Sequence, residues 1–166
     1  MDKQISVFTS KSDSLTNKLI TPVYFASALQ PDKIVQATAQ WDTGATNTCI
    51  SEDIASKLGL IPTGKITIHT PSGSNDQNTY LANIILPNKV AINQIPVCDS
   101  KIGVQKIDIL IGMDIIILGD FAISNYNGKT YFSFRLPSKE HIDFYKEASL
   151  DKILGPKHGK GKKNKK

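Results

Sequence analysis

The chain has 166 residues, 40% hydrophobic and 21% charged, a composition typical of a soluble globular protein with one domain. No apolar run is long enough to cross a bilayer, and the N-terminus lacks the features of a signal peptide. The two cysteines and three histidines have no ligand spacing, so we expect no metal site and no cofactor. We therefore predict a reduced, cytoplasmic setting with no membrane association, and a core role for Cys49 and Cys98.

The net charge of +5 comes from the C-terminal segment. Residues 156–166 contain six lysines and no acid, so the remainder of the chain is close to neutral. Such a segment has no apolar side chain to bury, and its composition predicts a disordered tail. Two roles stay open for it: weak electrostatic contact with nucleic acid or an acidic partner, and a terminus that only aids solubility.

The first predicted elements are two short β-rich runs at residues 5–8 and 19–25, which we interpret as an outer hairpin. Residues 26–33 predict a turn into the next strand. In that strand, at residues 34–41, apolar and polar side chains alternate with a period near two, as expected when one face is buried.

The middle of the chain predicts one short helix and a projecting hairpin. Ser51 is suited to the N-cap of the helix, acidic residues follow in its first turn, and Gly59 comes just after its last turn. Residues 65–70 and 79–86 alternate as strands do, on either side of a tip at residues 71–78.

The rest of the chain continues the β pattern. Four further strands are predicted at residues 90–97, 106–111, 121–126 and 130–136. Asn127-Gly128, between the last two, is the strongest hairpin signal in the chain. Residues 140–154 favour a marginal helix, with Ile142, Tyr145, Leu150 and Ile153 as its possible contacts. Many short strands with few helices predict a small all-β domain, a closed or partly closed antiparallel barrel.

The most informative motif is Asp42-Thr43-Gly44-Ala45, which follows the strand at 34–41 and has no second copy. It places a carboxylate at a tight turn, where glycine allows close approach of another backbone or a ligand. On its own, such a motif indicates no more than a turn. About sixty residues later, the run 107–119 contains large aliphatic residues, Gly112 and then a short helix-like segment.

These two motifs, in this order, resemble the retropepsin family of aspartic proteases, including its bacterial and DNA-damage-inducible-protein relatives. The resemblance covers roughly residues 15–137. It implies a small closed antiparallel all-β barrel of the retropepsin type with one or two short helices, assembled as a homodimer. We accordingly divide the chain into a protease domain at 1–137, a helical C-terminal extension at 138–155 and the disordered lysine-rich tail at 156–166.

Peptide hydrolysis by carboxylates needs two of them that share one proton, one to accept a proton from water and one to donate to the carbonyl oxygen. This chain has one Asp-Thr-Gly and about half the length of a pepsin-like enzyme. If it is such an enzyme, the second carboxylate must come from another copy. The resemblance implies that Asp42 is catalytic and meets its mate across a two-fold axis.

The resemblance also implies roles for the neighbours of Asp42. The Thr43 hydroxyl would bond to the opposite subunit's loop, and Gly44 would let the substrate backbone lie close. A hairpin tip would close over an extended substrate as an added strand, although an ordinary exposed hairpin stays the alternative. The predicted support residues are Thr43, Gly44, Ala45, Ile111 and Gly112, and the predicted flap residues are Ser72, Gly73 and Ser74.

Three other acids have structural interpretations. Asp114 opens the run 115–118, where we expect a helix N-cap or first-turn role rather than catalysis. Asp53 and Asp108 are expected to be solvated or capping residues.

Retroviral members of the family often carry arginine at the position of Met113, where it forms an ion pair at the dimer. Methionine cannot do so, and the contacts of this dimer should therefore differ.

The favoured function is a homodimeric aspartic endopeptidase that acts on peptide or protein substrates in extended form. One alternative is a dimeric peptide-binding module of the same fold with little or no turnover, which would also keep Asp42. A third hypothesis, a nucleic-acid-associated protein, depends on the lysine tail alone, because the remaining chain is near neutral and its aromatic residues are scattered.

Overall fold

A computed structural model of the chain describes residues 5–70, 73–102 and 106–154. Most of these residues lie in strands, which confirms the predicted all-β class. The elements in chain order are β1 (Ser6–Lys11), β2 (Leu19–Ser27), β3 (Gln30–Trp41), β4 (Cys49–Ser51), α1 (Glu52–Leu58), β5 (Gly64–Thr70), β6 (Gly73–Ile85), β7 (Ala91–Ser100), β8 (Ile109–Ile111), α2 (Met113–Ile116), β9 (Asp120–Tyr126), β10 (Lys129–Leu136) and α3 (Phe144–Leu154).

The larger sheet forms a closed barrel. Its strand order is β2-β3-β8-β4-β7-β6-β5, and an additional pairing of β2 with β6 closes the ring. Most neighbouring strands are antiparallel, but β3 pairs with β8 and β4 pairs with β7 in parallel. Parallel pairing needs a long crossover, and in both cases several other elements lie between the paired strands. The predicted closed barrel is confirmed, with these two parallel pairs in addition.

A second, three-stranded sheet has the order β1-β10-β9. The predicted hairpin between the first two β-rich runs is wrong, because β1 pairs with β10 while β2 pairs with β3. The predicted hairpin at Asn127-Gly128 is confirmed: both residues have positive φ, 48° and 71°, and they join β9 to β10. The short turn fixes a local pairing, whereas the place of β1 depends on distant packing.

An aromatic cluster joins the two sheets. Trp41, the last residue of β3, is only 4% exposed and its ring centroid lies 4.8 Å from that of Phe134. It also stacks on Phe121 at 5.8 Å, and its indole N–H donates to Thr21 Oγ1 at 2.9 Å. A buried indole with a satisfied N–H fixes the end of β3. The cluster consists of Phe8, Trp41, Phe121, Phe132 and Phe134.

The central helix follows its sequence signals. Ser51 is the N-cap of α1, where its Oγ accepts the Ile54 N–H at 3.2 Å. Gly59 ends the helix with a φ of 62°, in the left-handed region that favours glycine. Asp53 lies exposed in the first turn, in agreement with the solvated or capping role expected of it.

The strands of the projecting hairpin are longer than predicted, because β6 begins at Gly73, within the predicted tip. Strand β5 pairs with β6 up to Thr70 and Gly73, so a tip spanning 71–78 is wrong. Polar residues 75–78 lie in β6. The first two are exposed, the next two are half-buried, and cross-strand bonds support the strand, such as that from Thr67 Oγ1 to Asp76 Oδ1 at 2.8 Å.

The C-terminal helix is present, but the predicted contacts of Ile142 and Tyr145 are wrong, and the side chains of Leu150 and Ile153 lie outside the described residues. Ile142 precedes α3 and is 43% exposed, and Tyr145 within it is 82% exposed. The division into domain, extension and tail stays a prediction, and the tail lies outside the described residues. No helix in the described part of the chain has the length and apolarity needed to span a membrane.

Candidate active site

Asp42 opens a loop between β3 and β4. Its backbone N–H donates to the Ile111 carbonyl at 2.9 Å, which continues the parallel pairing of β3 with β8 by one residue. Oδ1 of its carboxylate accepts the Gly44 N–H at 2.8 Å, and its carbonyl accepts the Ala45 N–H at 3.2 Å. The half-buried carboxylate is therefore oriented by the backbone of its own loop, directly after the anchored Trp41.

Gly112 lies against the underside of this loop. A Cβ at this position would lie 2.6 Å from the backbone carbon of Asn47 and 2.9 Å from the carbonyl oxygen of Ala45. Its φ of −90° suits any residue, so the requirement for glycine is one of space. The next residue, Met113, donates its N–H to that same Ala45 carbonyl at 2.8 Å. The predicted packing of Ile111 and Gly112 against the Asp42 loop is present.

A buried threonine ties the loop to α2. Thr48 is fully buried, and its backbone N–H and hydroxyl both donate to the Asp114 carboxylate, at 2.9 and 2.7 Å. The same hydroxyl accepts the Gly112 N–H at 3.1 Å. Asp114 lies in the first turn of α2, as predicted. Sequence reasoning did not find Thr48, because one threonine in a polar loop gives no signal of its own.

The other predicted support residues differ in exposure. Thr43 and Gly44 are exposed on the loop, and Ala45 is half-buried. The partner predicted for the Thr43 hydroxyl belongs to a second subunit, so that contact stays a prediction. The structure thus brings together Asp42, Gly44, Ala45, Ile111 and Gly112 around one loop.

The predicted flap residues lie on a different element, the β5–β6 hairpin. Gly73 is the first residue of β6, with a φ of 133°, and pairs with Thr70. Ser74 follows it and pairs with His69, whereas Ser72 lies outside the described residues. The hairpin is therefore present where a flap was predicted, and its function stays a prediction.

Asp99 of β7 anchors the base of this hairpin. Its carboxylate accepts three bonds from β6: the Asn78 N–H at 2.9 Å, the Asn78 side-chain amide at 2.9 Å and the Tyr80 hydroxyl at 2.8 Å. The pKa of Tyr80 is raised to about 12, mainly by burial and to a smaller extent by its hydrogen bond to Asp99. Nothing in the sequence singled out Asp99, because its partners are about twenty residues away.

Asp108 joins three strands next to the site. Its carboxylate accepts the Thr38 N–H at 2.7 Å, and its carbonyl accepts the Ser51 N–H at 2.8 Å. The half-buried side chain therefore binds a backbone N–H within β3, and neither the solvated nor the capping role that was predicted for it is observed. It holds the entry to β8 against β3, which carries Asp42 at its end.

The two cysteines lie beside the same loop. Cys98 is buried and Cys49 is half-buried, and both are free thiols. Their sulfurs are 2.8 Å apart, and the Cys98 N–H donates to the Thr48 carbonyl at 3.3 Å. The expected core role applies to Cys98, while Cys49 is partly accessible. Among the described residues, no group of three or more His, Cys, Asp or Glu side chains could hold a metal ion.

Comparisons with known proteins agree with this architecture. Residues 34–117 match the family described as "gag-polyprotein putative aspartyl protease". The crystal structure of a retropepsin-like aspartic protease from Rickettsia conorii is similar at 13% identity and a TM-score of 0.52, over 81% of this chain and 98% of that one. At this identity the likeness shows the fold alone. No curated protein has a significant match to the sequence.

Two further solved structures have lower TM-scores. EIAV protease in complex with an inhibitor has 16% identity and a TM-score of 0.47, over 63% of this chain and 90% of that one. The retroviral protease-like domain of Ddi1 from Leishmania major has 16% identity and a TM-score of 0.39, over 74% and 98%. The family match spans half of the chain and includes Asp42 and Gly112. The chain belongs to the retropepsin-like aspartic protease family.

Proposed function

We propose that the protein is a homodimeric aspartic endopeptidase that hydrolyses peptide bonds in extended polypeptide segments. The observation that carries this proposal is the Asp42 carboxylate, held by the Gly44 N–H at 2.8 Å on a loop that Gly112 supports from below. An aspartate oriented by backbone donors at the end of a fixed strand is suited to chemistry that depends on position.

The need for a second copy follows from the chemistry. A single chain supplies one Asp-Thr-Gly, and two carboxylates that share a proton are required to act as acid and base together. Thr43 and Gly44 are exposed beside Asp42, so this part of the loop is open to another subunit. A two-fold axis through this face would bring two copies of Asp42 together.

In the dimer, the two Asp42 carboxylates hold one water between them. The ionised carboxylate accepts a proton from this water as its oxygen attacks the carbonyl carbon of the peptide bond, and the protonated one donates to the carbonyl oxygen. When the tetrahedral intermediate collapses, a proton passes to the leaving nitrogen. The pair thereby returns to its starting state with one shared proton.

The β5–β6 hairpin is suited to hold the substrate. Its strands pair up to Thr70 and Gly73, and Asp99 anchors its base through Asn78 and Tyr80. A hairpin fixed at the base and projecting at the tip can close over an extended peptide and pair with it as an added strand. We assign Ser72, Gly73 and Ser74 to this closing tip.

The test compares the wild type with Asp42→Asn. The amide is nearly isosteric with the carboxyl, so the loop and the dimer should persist, but it cannot accept a proton from water. Loss of general acid–base assistance should lower the rate of peptide cleavage by at least about 10²–10⁴-fold. Cleavage of a mixed peptide pool is measured at several pH values, together with dimer mass and thermal stability. Asp53→Asn, at an exposed helical position, is the matched control and should keep full activity.

The outcomes separate the candidate functions. Activity retained in Asp42→Asn would overturn the catalytic assignment. A protein that stays monomeric at high micromolar concentration would contradict the dimeric mechanism. If neither form cleaves peptides while both bind them tightly, the dimeric peptide-binding module becomes the better description.

A further inference from the structure

Two thiols face each other across neighbouring strands. Cys49 of β4 and Cys98 of β7 are direct partners in the parallel register of these strands, and their sulfurs are 2.8 Å apart. Paired positions on adjacent strands place their side chains on the same face of a sheet. These are the only two cysteines of the chain, so any disulfide within it must join them.

The backbone separation suits a covalent link. Neighbouring strands lie about 4.7–4.9 Å apart, within the range of about 4.4–6.8 Å between the Cα atoms of disulfide-bonded cysteines. A disulfide bond is about 2.0 Å long, so the two sulfurs need to approach by roughly 0.8 Å more. Such a small change is within the reach of side-chain rotation and requires no movement of either strand.

The two sulfurs differ in access. Cys49 is half-buried, whereas Cys98 is only 3% exposed, so a reagent in solution reaches Cys49 first. The hydrogen bond between the thiols lowers the pKa of Cys98 and, together with burial, raises that of Cys49. Loss of one proton from the pair therefore leaves the negative charge mainly on Cys98. Transfer of the remaining proton from Cys49 to Cys98 across the 2.8 Å contact forms the Cys49 thiolate, which is the nucleophile that a reagent in solution can reach.

We propose that Cys49 and Cys98 form a reversible disulfide site that is oxidised by a small disulfide such as glutathione disulfide. The Cys49 thiolate attacks one sulfur of the reagent, which breaks its S–S bond, forms a mixed disulfide and releases one thiol. Cys98 then attacks Cys49, forms the internal bond and releases the second thiol. In total the protein loses two protons and two electrons, and the reagent takes up both and becomes two thiols.

The new bond would reinforce a contact that already exists. Thr48 precedes Cys49, its carbonyl accepts the Cys98 N–H, and its side chain bonds to Asp114. Oxidation would thus fasten the end of the Asp42 loop to β7 without displacing it. The bond closes a ring over α1 and the β5–β6 hairpin, which constrains the unfolded chain and should raise the Tm by about 5–15 °C.

The experiment exposes the folded full-length protein to glutathione disulfide. We expect the intact mass to fall by two hydrogens, peptide mapping to locate a Cys49–Cys98 bond, and the Tm to rise and then return on reduction. Cys98→Ser should stop at a mixed disulfide on Cys49. Cys49→Ser, which keeps only the buried thiol, should react far more slowly.

Three results would overturn the proposal. One is that both thiols stay free in the folded wild type under conditions that oxidise the unfolded chain. Another is a disulfide between two chains rather than within one. The third is a lower Tm for the oxidised protein, which would mean that the bond distorts the strands. All three results are measured on the wild-type protein, so the test remains valid even if a serine variant folds poorly.

Discussion

The carboxylate of Asp114 binds Thr48 twice, with Oδ2 accepting its backbone N–H at 2.9 Å and Oδ1 accepting its hydroxyl at 2.7 Å. Both donors are out of contact with water, because Thr48 is fully buried. The Thr48 hydroxyl in turn accepts the Gly112 N–H at 3.1 Å. Through these bonds, the first turn of α2 sets the position of the chain that follows the Asp42 loop.

Replacing Asp114 by asparagine should destabilise the fold. An amide has one acceptor oxygen, so one of the two Thr48 donors would face an NH₂ group and lose its bond. A buried donor without a partner costs about 1–3 kcal/mol, and we expect the free energy of unfolding to fall by that amount in denaturant titrations. Asp53→Asn, exposed in the first turn of α1, should cost less than about 1 kcal/mol. Equal stability of Asp114→Asn and wild type would contradict this assignment.

Gly112→Ala tests whether space beneath the Asp42 loop is required. The added methyl would lie 2.6 Å from the Asn47 backbone, which cannot move without displacing the loop. We expect a loss of about 1–3 kcal/mol in the free energy of unfolding and a marked fall in peptide cleavage. The control is Gly64→Ala, where the neighbour at 3.2 Å is the Thr79 hydroxyl, a group that can rotate. Wild-type stability and cleavage in Gly112→Ala would show that the loop accommodates the methyl.

Asp120 should make stability depend on pH in the acid range. The Ser138 hydroxyl, the Lys139 N–H and the Arg135 guanidinium all donate to its carboxylate, and they hold its pKa well below the usual range. Because the folded value lies below the unfolded one, this stabilisation is present at neutral pH and is lost as pH falls below about 4.

Thermal melts of Asp120→Asn and wild type across pH would measure this effect. The variant should melt at a lower temperature at pH 7, and the gap should narrow as pH falls below about 4. Ser138→Ala keeps the acid but removes the hydrogen bond that lowers the pKa of Asp120 most. The difference in melting temperature between this variant and wild type should therefore be smaller than that for Asp120→Asn. A gap that stays constant over the whole range would rule out ionisation of Asp120 as its source.

Deleting residues 156–166 should leave folding and dimerisation intact. The segment carries six lysines and no large apolar side chain, so it has nothing to contribute to a core. Tm and dimer mass should match those of the full chain, while any retention on an anionic matrix at low salt should weaken. A large fall in Tm on truncation would show that the tail is ordered and packed.

The sequence by itself determined the features that depend on local chemistry. The Ser51 cap and Gly59 end of α1, the Asn127-Gly128 hairpin and the carboxylate of Asp42 at the end of an alternating strand were all predictable. In each case the residues that specify the feature lie within a few positions of one another, so their backbone preferences and hydrogen bonds act over a short stretch.

Only the tertiary structure decided which distant segments meet. Pairing of β1 with β10 places Phe8 against Trp41 and Phe132. The sequence instead predicted that β1 would form a hairpin with the next strand, so this pairing was not predictable from local signals. The bonds of Thr48 to Asp114 and the contact of Cys49 with Cys98 join residues 66 and 49 positions apart. Such contacts follow from burial of the whole barrel, in which the packing of many side chains outweighs the preference of any short segment.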